Sequence, residues 1–177
     1  KKIEILISPP TSGTRDAWNS LVMVKGCSKA AKSLFEANGK KAKKECAKMR
    51  EDGYAVEAGE NDTLIVQKLA SNPDAYGFFG YSYLVANKDK IKAAAINGVK
   101  PSLEGIQDYS YPIARPLFFY VKKAHIGVVP GIEEFMKAFT SKKAMGPRGY
   151  LAEIGLVPLA SDKYKAISTA ALKLETI

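Results

Sequence analysis

The residues best suited to chemistry lie in the segment Pro9–Asp16, which has the sequence Pro-Pro-Thr-Ser-Gly-Thr-Arg-Asp. Ser12 and Thr14 carry hydroxyl donors, and Arg15 can donate two hydrogen bonds to a single anion. A helix beginning here would add unpaired backbone N–H groups and the positive end of its dipole, and Gly13 would let a ligand approach the backbone. Such a set can hold a tetrahedral oxyanion without a metal. The residues alone slightly favour an ordinary Ser/Thr-capped helix followed by a surface arginine.

The rest of the chain offers little for catalysis. His125 is the only histidine, so a Ser-His or Cys-His nucleophile would depend on it, and its surroundings favour a surface loop. With one histidine and two cysteines, a tetrahedral zinc site of Cys and His ligands is nearly impossible. The phosphate-loop, dinucleotide and nucleophile-elbow glycine motifs are all missing from the sequence. We therefore expect no enzyme activity, no metal and no cofactor.

The charge of the chain points to an anionic partner. Among 177 residues, 27 are Lys or Arg and 18 are Asp or Glu, which leaves a net charge of +9. Only four of the basic residues are Arg, and an excess of Lys favours a solvated surface over specific readout of phosphates or bases. Much of the excess lies between residues 29 and 50, where a solvated helix face is favoured over a nucleic-acid patch.

Short apolar runs alternate with amphipathic stretches along the whole chain. This alternation predicts an α/β fold with a mixed sheet flanked by helices. The composition, 46% hydrophobic and 25% charged, suits a globular domain, and no apolar run is long enough to span a membrane. Strands are predicted at Ile3–Ile7, Tyr54–Glu57, Tyr76–Tyr81, Ile91–Ile96 and Leu117–Val121.

The segment Pro9–Asp16 therefore joins the first predicted strand to the first predicted helix. Thr11 or Ser12 is the expected N-cap of that helix, and Gly26 is expected to end it. The Lys-rich stretch that follows is predicted to form two helices separated at Asn38-Gly39. Further helices are predicted after Asn61 or Asp62, over residues 82–87, and from residue 132 onwards.

The two cysteines, Cys27 and Cys46, both fall in this helical, Lys-rich region. A reduced pair in a cytosolic protein and a disulfide in an exported protein are both compatible with their number and spacing. The residues alone leave these alternatives open.

An ordered set of segments resembles the periplasmic phosphate-binding proteins, the substrate receptors of high-affinity phosphate ABC transporters. Pro9–Ala17 is similar to the phosphate-contacting loop of that family. Each similar segment is weak by itself, but their order along nearly the whole chain is specific. The other similar segments are Arg50–Gly53, Glu57–Asp62, Gly77–Ser82, Ala95–Val99, Tyr111–Leu117 and Gly146–Leu151.

The resemblance implies one lobe of a two-lobed clamp with the type II periplasmic-binding fold, in which helix N-termini hold phosphate. The Ser-Gly-Thr contacts of the family carry over to Ser12–Thr14. Well-known members have an Arg and an Asp shortly before that motif, where this chain has Ser8 and Pro10. Arg15 is the expected substitute for the missing guanidinium. The resemblance also implies a Cys27–Cys46 disulfide, formed in an oxidising periplasm.

The resemblance further implies how the chain is organised. Residues 1–110 are expected to form the second lobe, and residues 111–177 the hinge crossing and a C-terminal return towards a first lobe. Complete family members carry an N-terminal segment that forms most of that first lobe, and it is not part of this sequence. Arg115 is expected to stabilise the hinge crossing rather than to touch ligand.

The predicted function is binding of inorganic phosphate in the periplasm and delivery to the membrane permease of an ABC importer, without catalysis. The protein is expected to be a monomer that binds no nucleic acid. The alternative is a basic module that binds nucleic acid or another polyanion, suggested by the charge of +9 and nine tyrosines. That alternative lacks any recognised nucleic-acid-binding motif.

Overall fold

The computed structural model describes residues 3–176, whose contacts divide the chain into two units, Lys1–Val99 and Lys100–Ile177. The first unit contains the strands and six of the helical segments found in the described residues, and the second unit is formed by helices and loops. The sequence-based division into residues 1–110 and 111–177 describes the two parts of a ligand-binding clamp, and it stays a prediction.

The first unit is built on a three-stranded sheet. Its strands are β1 (Glu4–Ile7), β2 (Ala55–Glu57) and β3 (Ala75–Gly77), in the spatial order β2-β1-β3. Both pairings are parallel, and in this register Leu6 lies beside Val56 on one side and Gly77 on the other. Because the strands are parallel, their carboxyl ends meet at the same edge of the sheet.

The α/β class is confirmed, but the three described strands pair in parallel rather than in the predicted mixed order. Helices connect each strand to the next, and such crossovers bring successive strands into the sheet in the same direction. Ile91–Ile96 and Leu117–Val121 are not strands in this structure. Ile96 forms only an isolated antiparallel bridge with Val99. A strand needs a paired neighbour, and the described residues provide none for these two runs.

The helices of the first unit follow the predicted pattern with one correction. They are α1 (Gly13–Trp18), a π-helical segment (Asn19–Val24), α2 (Lys25–Ala30), α3 (Lys32–Cys46), α4 (Asp62–Ser71) and α5 (Tyr81–Ala86). The predicted break at Asn38 is confirmed by non-helical backbone angles within α3 (φ −160°, ψ 87°). Gly26 does not end its helix, because glycine costs only about 1 kcal/mol inside a helix.

The core of the first unit lies between the sheet and α4. Leu6, Ala58 and Ile65 are buried at its centre, and a ring of partly buried side chains packs around them: Val56, Leu69, Ala75 and Phe79. Gly77 allows this close packing, since a Cβ atom at its position would lie 2.8 Å from Cγ2 of Ile65. The sheet therefore positions the loops at its carboxyl edge on a rigid base.

The second unit consists of α6 (Leu103–Gln107), α7 (Ile132–Phe139), α8 (Lys142–Met145), α9 (Tyr150–Glu153) and α10 (Ser161–Leu172), with a 3₁₀ turn at Lys123–His125. Buried hydrogen bonds link α7 to α10. The hydroxyl of Tyr164 donates to the carbonyl of Thr140 over 2.9 Å, and the Thr140 hydroxyl donates to the carbonyl of Met136 over 2.7 Å. Between residues 3 and 176, no helix has both the length and the apolar character needed to cross a bilayer.

Candidate functional site

The segment predicted to hold an anion lies at the carboxyl edge of the sheet. Ser8 directly follows β1, and the chain then turns through Pro9 into α1, with the Ser12 N–H donating to the Pro9 carbonyl over 3.0 Å. The loop after β2 begins at the same edge, where the N–H of Ala58 donates to the carbonyl of Ile7 over 2.9 Å. The parallel sheet thus places two loops of distant sequence beside each other.

Ser12 is the N-cap of α1, as predicted. Its backbone is extended (φ −77°, ψ 131°), and its hydroxyl oxygen accepts a hydrogen bond of 3.2 Å from the N–H of Thr14. A hydroxyl that accepts through a lone pair still has its proton to donate. Ser12 and Thr14 are half-buried and Gly13 is exposed, so the two hydroxyl groups and the glycine lie at an accessible surface.

Arg15 is not the surface arginine of an ordinary capped helix. Its exposed fraction is 9%, and its Nη1 donates to the carbonyl of Ser8 over 2.9 Å. Arg15 therefore links the first turn of α1 to the end of β1, beneath the loop. Among residues 3–176, no carboxylate forms an ion pair with it. The positive charge of the guanidinium is thus held inside the protein without an acidic partner from the described chain.

Several polar side-chain atoms of the same segment are buried without a hydrogen bond to the protein. Buried polar groups are normally hydrogen-bonded, so a buried polar atom without a partner in the protein calls for an explanation, such as a bound ion. In the described residues, the buried side-chain atoms of this kind all lie between positions 8 and 19: Ser8 Oγ, Arg15 Nε, Trp18 Nε1 and Asn19 Oδ1. The unpaired buried polar atoms of the described residues therefore lie together, around the end of β1 and the helical segments that follow it.

Two carboxylates near this loop were not anticipated from the sequence. The hydroxyl of Thr11 donates to Oε1 of Glu60 over 2.6 Å, and the N–H of Gly80 donates to Oδ2 of Asp62 over 3.3 Å. Partial burial raises the pKa of Asp62 above its ordinary value, and the bond from Gly80 opposes this rise. No local signal predicts these pairs, because their members are 49 and 18 residues apart.

An aromatic stack ties α1 to the loop after β3. The rings of Trp18 and Phe78 lie 4.4 Å apart and nearly parallel, with an interplanar angle of 3°. The loops that follow all three strands are therefore connected at the carboxyl edge, by Thr11 to Glu60 on one side and by this stack on the other.

The other residues singled out from the sequence lie on further elements of the two units. Cys27 and Cys46 form a disulfide that joins α2 to α3, with their Cα atoms 5.9 Å apart, which confirms the implied pairing. In the second unit, Arg115 is exposed, and His125 is exposed in the 3₁₀ turn, as expected for a surface histidine. Within the part of the chain that the structure describes, no group of three or more His, Cys, Asp or Glu side chains could hold a metal.

Comparison with protein families decides the assignment. The model of the PBP superfamily domain matches residues 1–143. The chain belongs to this superfamily. The curated relatives that match include the phosphate-binding protein PstS of Staphylococcus aureus strain USA300, which is 34% identical over 123 residues. That match covers 67% of this chain and 36% of the relative, so the chain spans about a third of the relative's length. The predicted resemblance to phosphate-binding proteins is confirmed.

Solved structures support the PBP fold. A possible phosphate binding protein from Planctomyces limnophilus DSM 3776 matches with a TM-score of 0.62 and 24% identity, covering 98% of this chain and 54% of that one. PstS from Borrelia burgdorferi matches with a TM-score of 0.56 and 20% identity, covering 90% of this chain and 54% of that one. At these identities the match concerns the fold alone.

Proposed function

We propose that this chain binds inorganic phosphate at Ser12–Arg15 as part of a substrate-binding protein that delivers the anion to an ABC importer. The observation that carries the proposal is Arg15, a buried guanidinium beneath a capped helix N-terminus, with no acidic partner among residues 3–176. A buried charge without compensation is costly, and a bound anion would compensate it. The names of the curated relatives support phosphate as that anion.

The proposed site combines two hydroxyl donors with the positive end of a helix. The hydroxyls of Ser12 and Thr14 lie at the accessible surface of the loop where α1 begins. The dipole of the helical run that begins at Gly13 favours negative charge at this end. In this arrangement Arg15 contributes its charge from below, while its bond to Ser8 fixes the loop against the sheet.

The proposed role is capture and hand-off, without making or breaking covalent bonds. Donors that are fixed in place suit reversible binding of an oxyanion, since no nucleophile or general base is needed. We propose the periplasm as the location, which agrees with the Cys27–Cys46 disulfide because disulfides persist in oxidising compartments. The permease partner and the monomeric state belong to the same proposal. The relatives named above give no support to a nucleic-acid-binding function.

The organisation of the clamp is also a proposal. Residues 1–110 would form one lobe, and residues 111–177 would cross at a hinge and return towards another. The run Leu117–Val121 supports this organisation, because it has strand character but no strand partner among the described residues. Its large, exposed apolar side chains are suited to packing against a segment from elsewhere.

The test is a titration of the ¹⁵N-labelled 177-residue chain with inorganic phosphate, followed by the amide resonances of Ser12–Arg15. We expect saturable shifts at millimolar phosphate, since the loop lies at an accessible surface and offers few enclosing contacts. Equal ionic strength from sodium chloride should not reproduce them. The absence of saturable shifts in this segment would contradict the proposed site.

A matched pair of cap variants separates binding from stability. Ser12→Ala and Asn61→Ala each remove an N-cap in the same unit, at the start of α1 and α4, so each should cost about 1 kcal/mol of unfolding free energy. Only Ser12→Ala should weaken phosphate binding. Equal effects of the two variants on phosphate affinity would show that binding depends on general stability rather than on the loop.

A further inference from the structure

The positive charge of the chain is concentrated in one short region. Residues 25–50 hold nine of the Lys and Arg residues and only two acidic residues, so they carry +7 of the total +9. The proposed phosphate site uses a single arginine outside this region. A separate explanation is therefore needed for the local excess, because a solvated surface requires charge but does not require it to be gathered in one place.

The centre of this excess is the second half of α3. Ala42 and Cys46 are buried and attach this part of the helix to the unit, and the lysines around them are all exposed. At 100° per residue, Lys40, Lys41 and Lys44 lie about 120° or more from the mean direction of the two buried residues, and Lys43 lies at the flank, about 80° from it. We call this surface the lysine face: Lys40, Lys41, Lys43 and Lys44.

The lysine face differs from the neighbouring basic residues in its ion pairs. Neighbouring basic residues have acidic partners, as in the pairs Lys48–Glu45 (2.6 Å) and Lys32–Glu36 (3.7 Å). In the described part of the chain, no ion pair involves any member of the lysine face. The pKa of Glu45 is lowered, mainly by its bond to Lys48 and further by the charges of Lys41 and Lys44.

The lysine face is also held in a fixed position. The Cys27–Cys46 disulfide fastens the end of α3 to α2, and the break at Asn38 separates the lysine face from the first half of the helix. The four charges therefore point outward from one anchored helical segment of about two turns. Such an arrangement can bring all four ammonium groups to the same surface without ordering a flexible tail.

We propose that the lysine face docks the protein onto the surface of an anionic phospholipid bilayer. Charge complementarity supports this partner, since lysines near an anionic leaflet each strengthen association, and several together give stable but salt-sensitive binding. A nucleic acid is a poorer fit, because the lysine face has no arginine for bidentate contacts and no aromatic side chain for stacking. The proposal does not depend on the phosphate site.

The experiment is co-sedimentation of the 177-residue chain with vesicles of phosphatidylcholine alone or with about one third phosphatidylglycerol. Binding is expected only to the vesicles that contain phosphatidylglycerol. It should fall steeply when sodium chloride is raised from about 20 to about 200 mM. Equal binding to neutral vesicles, or no binding to either kind, would overturn the proposal.

A matched pair of quadruple variants tests where the charge must be. In the first, every residue of the lysine face is changed to Gln, and in the second the same change is made at four exposed lysines elsewhere: Lys88, Lys90, Lys92 and Lys100. Both variants lose four charges. The first should weaken vesicle binding about tenfold or more, and the second should have a much smaller effect. Equal losses would show that net charge, not the lysine face, determines binding.

A third arm compares the bilayer with nucleic acid. The anisotropy of a labelled DNA duplex is measured with the wild-type chain and with the lysine-face variant at the same salt concentrations. We expect the chain to bind vesicles more tightly than the duplex, and the variant to lose mainly vesicle binding. Tighter binding to the duplex, lost in the lysine-face variant, would replace the bilayer with a nucleic acid as the partner.

Discussion

Two runs of five residues with the same strand character have different structures in the two units. Ile3–Ile7 contributes β1 at the centre of the sheet, with β2 and β3 paired on either side, and its fourth residue, Leu6, is 1% exposed. Leu117–Val121 lies outside any strand, and its first four residues are between 41% and 75% exposed. The difference lies in the partners, because β-propensity depends on the neighbours that a strand packs against.

An apolar run of β-branched or aromatic residues forms a strand only where a partner pairs with it, and that partner comes from elsewhere in the sequence. The first unit supplies it through the crossover helices, which bring β2 and β3 to β1. In the second unit, Phe119 is packed on one side, with its ring centroid 4.6 Å from that of Phe139 in an edge-on arrangement, and it is still 41% exposed.

Truncating one large side chain in each run tests this difference in packing directly. Leu6→Ala should lower the unfolding free energy by about 2 to 5 kcal/mol, because it leaves a cavity in a packed core. Phe118→Ala removes a side chain that is 69% exposed, so its effect should stay within about 0.5 kcal/mol. Urea denaturation followed by far-UV circular dichroism measures both. Similar losses would mean that the second run is as well packed as the first.

The disulfide gives a second contrast, since both cysteines lie in the first unit. Reduction should lower the stability of that unit by about 3 kcal/mol, because the bond closes a loop with a sequence separation of 19. Thermal unfolding with and without dithiothreitol measures this effect. The double variant Cys27→Ser/Cys46→Ser should unfold like the reduced protein and should not respond to dithiothreitol. A reduced protein as stable as the oxidised one would contradict the expectation.

Local signals in the sequence predicted much of the first unit. The apolar run ending before Pro9 predicted β1, the polar residues Ser12 and Asn61 predicted two N-caps, and Asn38 predicted the break in α3. Each signal acts within a few residues, through a hydrogen bond to the next turn or a backbone preference. Such signals are independent of the rest of the fold, which explains why they could be recognised.

Features that depend on distant residues could not be predicted from local patterns. The burial of Arg15 results from the packing of α1 against the end of β1, whereas the sequence alone favoured a surface arginine. The bond from Thr11 to Glu60 requires the parallel pairing of β1 and β2, which places their loops at one edge. The same limit explains Leu117–Val121, where the sequence shows the propensity but not whether a partner strand is present.

Two neighbouring aromatic variants test how much the partial packing of Leu117–Val121 contributes to stability. Phe119→Ala removes edge-on contacts to Phe139 and to Phe135, whose ring lies 6.1 Å away, so it should destabilise α7 by about 1 kcal/mol. Tyr120→Ala, at a more exposed position, should have a smaller effect. Hydrogen exchange of the α7 amides measures both. Equal protection of these amides in wild type and Phe119→Ala would show that the aromatic contacts contribute nothing.

The smallest expected difference between the units concerns two aspartates. Burial raises the pKa of Asp62 in the first unit, so the native state holds that proton more tightly than the unfolded chain does. The contribution of Asp62 to the free energy of unfolding is fully present below pH 3.8, the ordinary pKa of an aspartate. It is lost as the pH rises through the raised pKa of the folded state. In the second unit, hydrogen bonds from Ser110 lower the pKa of Asp108, so its stabilisation is present above the ordinary value and is lost in acid.

The variants Asp62→Asn and Asp108→Asn should differ from wild type in opposite ways as the pH changes. The quantity compared is the unfolding free energy of wild type minus that of the variant. For Asp62→Asn, which keeps an oxygen to accept the bond from Gly80, the difference should decrease as the pH rises across the carboxylate range. For Asp108→Asn it should increase over the same range. Urea titrations at several pH values test both signs. Slopes of the same sign would mean that the two carboxyl groups occupy similar environments, despite the partial burial of one and the exposure of the other.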